Sequence, residues 1–88
     1  MKLKYDFLLR DVGDRAVAVA VGEGSESFQG IISMNRSSKA IFEMLREETS
    51  EEEILQKLMK QYNGTEAFFR EEIRKMVMKL RNGGVLTE

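Results

Sequence analysis

The chain has 88 residues, of which 42% are hydrophobic and 33% charged, and its formal net charge is −1. This length and composition predict one globular domain over residues 1–88 and argue against a membrane protein or a disordered tail. There is no His and no Cys, which removes the commonest general base, thiol nucleophiles, the usual zinc ligands and disulfides. We therefore expect a chain that is not an enzyme and that carries no cofactor.

Charge and its placement restrict the partners. Charged residues interrupt the first six positions before any sustained apolar run, so neither a signal peptide nor a membrane span is predicted, and a cytoplasmic location is expected. The near-neutral net charge argues against nucleic acid as the main partner. The acidic residues at 47–53 coincide with a predicted helix start, where carboxylates complement the helix dipole.

Two apolar runs predict a β-hairpin. Phe7–Val12 is followed by a glycine turn and by a second run at residues 16–21, a pattern typical of paired strands. Because side chains alternate across a strand, Val17, Val19 and Val21 share one face and the intervening alanines share the other. We expect the Val face in the core, and the Ala face lightly exposed or covered by a partner.

A third short strand is predicted at residues 28–33, after a Gly-rich connection. Three strands cannot close into a barrel, so the sheet has an open edge. This segment has no charge and no Pro, the features that usually blunt an edge; the alternative is an internal bend or bulge at Gly30. The sequence thus predicts a template for an added peptide strand. Its residues are Phe28, Gln29, Gly30, Ile31, Ile32 and Ser33.

Three helices follow, predicted from apolar residues at helical spacing. Asn35 or Ser37 can cap the first, Ser50 opens a capping box at the second, and Asn63-Gly64 is expected to end the second in a left-handed turn. Together these elements predict an α+β, winged-helix-like fold with a three-stranded antiparallel sheet followed by three helices. The predicted buried positions are Ala40, Ile41, Met44 and Leu45; Ile54, Leu55, Leu58, Met59 and Tyr62; and Phe69, Ile73, Met76, Val77 and Leu80.

The third helix also carries a basic strip. At 100° per residue, Arg70, Arg74 and Arg81 lie in one line beside Val77. Such a strip beside an apolar groove can hold an amphipathic or partly acidic peptide, because guanidinium groups bind carboxylates through paired hydrogen bonds. The alternative is an ordinary solvated helix face. No catalytic or metal-binding residue is predicted.

Four stretches carry a resemblance to a known family: FQGIISMN (28–35), AIFEML (40–45), TSEEEI (49–54) and LRNGGVL (80–86). In order and spacing they resemble the PqqD family, pyrroloquinoline quinone biosynthesis protein D and its relatives, over nearly the whole chain. The resemblance implies a winged-helix-like domain that captures the leader of a ribosomally made precursor peptide as an added strand between the third strand and the last helix. It also implies a modifying enzyme as partner, often a radical S-adenosylmethionine enzyme, to which any cofactors would belong.

Two other functions remain open. In a winged-helix DNA-binding protein, the last helix would enter the major groove and its arginines would meet phosphates or guanine edges. In a homodimerising interaction domain, the same open strand would pair with its own copy across a two-fold axis. Salt-sensitive binding to random DNA would favour the first, and a tight dimer would favour the second.

Overall fold

The computed structural model describes residues 1–22 and 30–88. Within these ranges β2 (Phe7–Val12), β3 (Arg15–Ala20) and β4 (Ile31–Asn35) form an antiparallel sheet in that order, and β1 (Lys2–Leu3) pairs with β5 (Leu86–Thr87) in a second, two-stranded sheet. The predicted α+β arrangement is confirmed, and a winged-helix-like fold is compatible with it. In chain order the elements are β1 Lys2–Leu3, β2 Phe7–Val12, β3 Arg15–Ala20, β4 Ile31–Asn35, α1 Arg36–Met44, α2 Glu51–Gln61, α3 Glu66–Asn82 and β5 Leu86–Thr87.

The strand after the hairpin lies later in the chain than predicted. It begins at Ile31 and continues to Asn35, because the register with β3 extends to the pair Arg15–Asn35. Gly30 precedes the strand and is exposed. Phe28 and Gln29 of the predicted strand lie outside the described residues.

The buried face of β3 is the opposite of the predicted one. The alanines of β3 are at most 4% exposed, whereas Val19 and Val21 are 40% and 41% exposed. The small side chains leave room for α1, which packs on β3 and buries Phe42, whose ring meets that of Phe7 edge-to-face at 5.3 Å between centroids. Core packing requires complementary volumes, and alanine complements this aromatic pair. The inner face of β3 carries Ala16, Ala18 and Ala20, and the outer side carries the half-buried Val17 together with Val19 and Val21.

Each helix begins at a side-chain cap that accepts a hydrogen bond from the backbone N–H three residues later. The distances are 2.8 Å at Asn35, 3.2 Å at Ser50 and 3.1 Å at Thr65. Of the two candidates for the first cap, Asn35 is the one used, and the Ser37 hydroxyl donates to its side-chain oxygen at 2.9 Å. The polar residues that flank the apolar runs therefore set the helix starts.

The end of α2 differs from the prediction. Neither Asn63 nor Gly64 has a positive φ. A Cβ at Gly64 would lie 2.8 Å from the ring of Phe69, so this glycine permits close packing rather than a left-handed turn. Met59 and Tyr62, predicted to be buried, are 41% and 50% exposed.

The core is formed by the inner face of the sheet and one stripe of each helix. All five predicted core residues of α3 are buried, as are three of the five predicted for α2. In α1, Ala40 and Met44 are only half-buried, and Phe42, which was not predicted, is fully buried. None of the helices in the described ranges has the length and apolar character needed to cross a bilayer. The helical core comprises Ile41, Phe42, Leu45, Ile54, Leu55, Leu58, Phe69, Ile73, Met76, Val77 and Leu80.

Candidate functional site

Among the described residues, no strand pairs with one long side of β4, which we call its open side. In the part of the chain that the structure describes, β4 pairs with β3 and with no other strand. Ile31 projects from the outer face of the sheet and is 67% exposed, while Ile32 points inward and is 6% exposed. An edge strand presents unpaired backbone donors and acceptors to any strand that approaches.

The hairpin turn sets the direction of the backbone groups in β3. Val12 and Arg15 face each other across a two-residue turn in which Gly13 has φ 64°. In such a turn the flanking residues are hydrogen-bonded to each other, so the backbone groups of Arg15 point toward β2. Directions alternate along an antiparallel ladder. Ala16 and Ala18 therefore direct their N–H and C=O groups toward β4.

The same alternation identifies which backbone groups of β4 point away from β3. Ala18 is opposite Ile32 in the register, so Ile32 directs its N–H and C=O groups into the ladder. Ile31 and Ser33, on either side of it, direct theirs to the open side. Consistent with this direction, Lys79 Nζ of α3 donates a hydrogen bond to the carbonyl oxygen of Ser33 at 2.6 Å.

A groove of about 250 Å³ lies between β4 and α3. Two cations lie close to its polar groups: Arg15 Nε donates to the Ser33 hydroxyl at 3.1 Å, and Lys75 Nζ lies 4.0 Å from the Glu72 carboxylate. With Lys79 the groove carries three cations and one carboxylate, so it favours acidic or polar groups above an apolar floor. The lining residues are Arg15, Ser33, Met34, Asn35, Ser38, Glu72, Lys75, Met76 and Lys79.

The predicted arginine strip lies on the other flank of α3. Arg70 and Arg74 border a cavity of about 210 Å³ together with Glu51 of α2 and Ile73. On the helical wheel this flank and the Lys75–Lys79 flank lie on opposite sides of the buried stripe. The arginine strip therefore borders α2, and the structure does not bring it to β4.

Each arginine of the strip already has a carboxylate partner. Arg70 pairs with Glu66 at 3.0 Å and with Glu52 of α2 at 3.2 Å. The hydrogen bonds from these carboxylates, Glu66 first and Glu52 second, raise the pKa of the Arg70 guanidinium. The other two pairs are Arg74 with Glu71 at 2.5 Å and Arg81 with Glu88 at 2.5 Å.

The predicted site residues thus separate into groups. Ile31 and Ser33 lie at the open edge, and Ile32 and Val77 are buried, with Val77 only 1% exposed. Gly30 is exposed just before the strand. Sequence reasoning did not single out Lys75 or Lys79, and it predicted Met76 as a core residue without expecting it to line the groove. Lys75 and Lys79 are one helical turn apart and so lie on one flank, next to Met76 of the buried stripe, but the helical wheel does not tell which flank faces the sheet.

These features define a small winged-helix-like α+β domain whose sheet has an open edge beside a basic groove. Residues 16–86 match the family described as Coenzyme PQQ synthesis protein D (PqqD), and the chain belongs to the PqqD family. No curated protein matches the sequence. Among solved structures, TbiB1 in complex with the TbiA(beta) leader peptide is similar, with a TM-score of 0.69 and 19% sequence identity over 98% of this chain and 94% of that one. At this identity the likeness shows a shared fold.

Proposed function

We propose that this chain is a non-catalytic module that binds the leader segment of a ribosomally made precursor peptide as an added strand along β4. The observation that carries the proposal is the open side of β4, where Ile31 and Ser33 direct their backbone groups outward beside the α3 groove. Membership of the PqqD family and the fold shared with TbiB1, which was solved with a leader peptide, support it. Gly30, just before the strand, would adjoin the bound leader, and contact of Phe28 and Gln29 with the leader stays a prediction from the sequence.

An added strand would meet two different surfaces. Side chains on its outer face would neighbour Ile31, which continues an apolar row formed by Leu8 and Val19 on the adjacent strands. Side chains on its inner face would enter the groove beside Met76 and Lys79. Backbone pairing supplies affinity in this binding mode, and the alternating side chains supply specificity. We therefore expect a leader with apolar residues and at least one carboxylate.

The arginine strip has a different role in this proposal. Arg70, Arg74 and Arg81 hold carboxylates of the chain itself, so they are less available to phosphates, which supports a peptide rather than a DNA duplex as partner. The sequence predicted that these arginines contact the peptide. For that contact, the peptide would have to pass over α3 as well as along β4. Binding studies on Arg74→Ala would test that contact, because Arg74 is paired only within its own helix.

The direct test is a titration of the isotope-labelled 88-residue chain with synthetic leader peptides, taken from a short precursor gene if one lies beside the gene for this chain. In the free chain the amides of Ile32 and Met34 should exchange slowly with solvent and those of Ile31 and Ser33 quickly. On saturation Ile31 and Ser33 should become protected, because their N–H groups enter a new ladder. Saturable binding with unchanged exchange at both residues would exclude strand addition. Absence of leader binding together with strongly salt-dependent binding to random duplex DNA would favour the DNA-binding alternative.

We further propose that the bound leader is presented to a modifying enzyme, a radical S-adenosylmethionine enzyme or another peptide-modifying enzyme, in the cytoplasm. The probe is a peptide-modifying enzyme encoded beside that precursor gene, if one is found there, and its modification rate on the full-length precursor is the measurement. Adding this chain should raise that rate, whereas the rate on a precursor without its leader should stay the same. A higher modification rate on both substrates would show that this chain acts on the enzyme independently of leader binding. A homodimer through β4 would instead compete with the leader, which light scattering with and without the peptide would reveal.

A further inference from the structure

A second, mainly apolar cleft lies at the end of the groove. It has a volume of about 360 Å³ and is formed where the start of α1, the end of α2 and the start of α3 meet. Its floor is buried, with Ile41 and Leu58 at most 3% exposed, while Tyr62 and Phe68 form walls that are 50% and 52% exposed. Its lining is Arg36, Ser37, Ile41, Leu58, Tyr62, Asn63, Phe68, Phe69 and Glu72.

One aromatic wall of this cleft, Phe68, packs against a buried ring. The rings of Phe68 and Phe69 meet at 5.8 Å between centroids with an interplanar angle of 65°. Phe69 in turn packs against Gly64, where a Cβ would approach the ring to 2.8 Å. Phe68 is therefore positioned by a buried neighbour, although it and Tyr62 are exposed at the mouth of the cleft. Exposed aromatic clusters of this kind typically mark binding surfaces.

The cleft adjoins the β4 groove. Glu72 lines both. Along α3 the groove residues Lys79 and Lys75 lead back to Glu72 and then to Phe68, while along the other wall β4 leads through Asn35 into the start of α1. Any strand added to β4 that continues past Asn35 is thus directed toward the aromatic walls.

We propose that the cleft binds an aromatic side chain of the same peptide that pairs with β4, so that recognition combines a strand with an aromatic anchor. This inference rests on the proposed strand addition. Lys79, which hydrogen-bonds Ser33, and Phe68 are 11 residues apart in α3, about 16 Å at 1.5 Å per residue. At about 3.3 Å per residue, the anchor would therefore lie about five residues from the peptide residue opposite Ser33. The polar groups at the rim, among them Asn63 and Glu72, suit a tyrosine or tryptophan, whose ring is apolar and whose tip forms hydrogen bonds.

A displayed library of random 16-residue peptides, selected on the full-length chain, tests the proposal without knowledge of the natural leader. Selected peptides whose binding is lost in the Ser33→Pro variant bind along β4. These peptides should share an extended segment and an aromatic residue at a constant number of residues from that segment. One such peptide is then measured by calorimetry against the wild type, Phe68→Ala and Met78→Ala. Met78 is the matched control, since it is 51% exposed and lies ten residues, about 15 Å, further along the same helix.

Phe68→Ala should weaken binding about tenfold or more, as loss of an aromatic anchor contact does, and Met78→Ala should stay within about twofold. Replacing the peptide's aromatic residue by Ala should weaken its binding to the wild type by a similar factor. The same replacement should weaken binding to the Phe68→Ala variant little further, because the two changes remove the same contact. Binding that is lost in Ser33→Pro but unchanged in Phe68→Ala overturns the aromatic anchor and leaves strand addition standing. Binding of all selected peptides that is unchanged in Ser33→Pro overturns strand addition itself. Thermal denaturation of each variant checks that the fold is retained.

Discussion

Lys79 Nζ lies 2.6 Å from the carbonyl oxygen of Ser33, so a lysine from α3 hydrogen-bonds the backbone of the open strand. Proteins commonly use lysine to prevent unwanted pairing at sheet edges. No lysine occurs at residues 28–33, and here the helix supplies it. A peptide strand that pairs with Ser33 would have to share this acceptor with Lys79 or displace it. The edge is therefore accessible but protected in the free chain.

Substituting Lys79→Met should increase self-association. Methionine keeps the apolar stem but removes the charge and the hydrogen bond to Ser33, which leaves the edge free to pair with another copy. We expect the dimer dissociation constant to fall by about tenfold, the equivalent of one hydrogen bond involving a charged group. Sedimentation velocity at several concentrations measures it. Lys75→Met is the control, since Lys75 is on the same flank and pairs with Glu72; equal behaviour of the two variants would contradict the protective role of Lys79.

Proline substitutions should distinguish neighbouring positions of β4. Ser33→Pro removes an N–H that points to the open side, so the chain should stay folded and lose about tenfold or more in leader affinity. Ile32→Pro removes an N–H that pairs with Ala18 in the ladder and should unfold or severely destabilise the sheet. Circular dichroism and calorimetry measure the two effects. Ser33→Ala keeps the N–H and serves as control. Unfolding of Ser33→Pro as complete as that of Ile32→Pro would show that the assigned backbone directions are wrong.

Enlarging the buried face of β3 should destabilise the fold. Ala18 is fully buried, and Ala18→Val adds two methyl groups where the helices pack, with an expected cost of about 1–3 kcal/mol in the free energy of unfolding. Val19→Ala, on the exposed outer face, should change it by no more than about 0.5 kcal/mol. Urea denaturation measures both. A larger loss of unfolding free energy in Val19→Ala than in Ala18→Val would indicate that the valine face of β3 is the buried one, as the sequence predicted.

The Arg81–Glu88 pair should be visible in acid titration. Hydrogen bonds from Arg81 at 2.8 and 2.5 Å hold the pKa of the Glu88 carboxyl below its ordinary value. A carboxylate whose folded-state pKa is lowered stabilises the fold above its unfolded pKa, and that contribution is lost as pH falls through the folded-state pKa. Arg81→Gln should raise the pKa of Glu88 toward its ordinary value, as measured by carboxyl-carbon NMR. Arg74→Gln, whose partner is Glu71, should leave the pKa of Glu88 unchanged, and an equal effect of both variants would argue against the direct pair.

Loss of the α1 cap should also destabilise the chain. Asn35→Ala removes the oxygen that accepts from Ser38 N–H at 2.8 Å and should lower the free energy of unfolding by about 1 kcal/mol. Ser37→Ala removes only a hydroxyl that donates to Asn35, and we expect a change within about 0.5 kcal/mol. Chemical denaturation of the two variants compares the candidate caps. A greater loss for Ser37→Ala would reverse the assignment.

The sequence by itself determined the features that depend on local chemistry. Helix starts at Asn35 and Ser50 follow from polar caps placed before apolar residues at helical spacing, and the hairpin follows from two apolar runs around Gly13. The absence of His and Cys and the order of the elements are likewise properties of the chain alone. The family resemblance rested on this same order and spacing, and the match over residues 16–86 confirms it.

The tertiary structure decided which surfaces meet. Alanine and valine both fit a strand, so only the approach of α1 selects the Ala16–Ala20 face of β3 for the core. The two flanks of α3 are equally polar in sequence, and only the packing of the helix turns Lys79 toward Ser33 and Arg70 toward Glu52. Burial and edge pairing depend on distances between residues far apart in the chain, and periodicity along the chain carries no information about those distances.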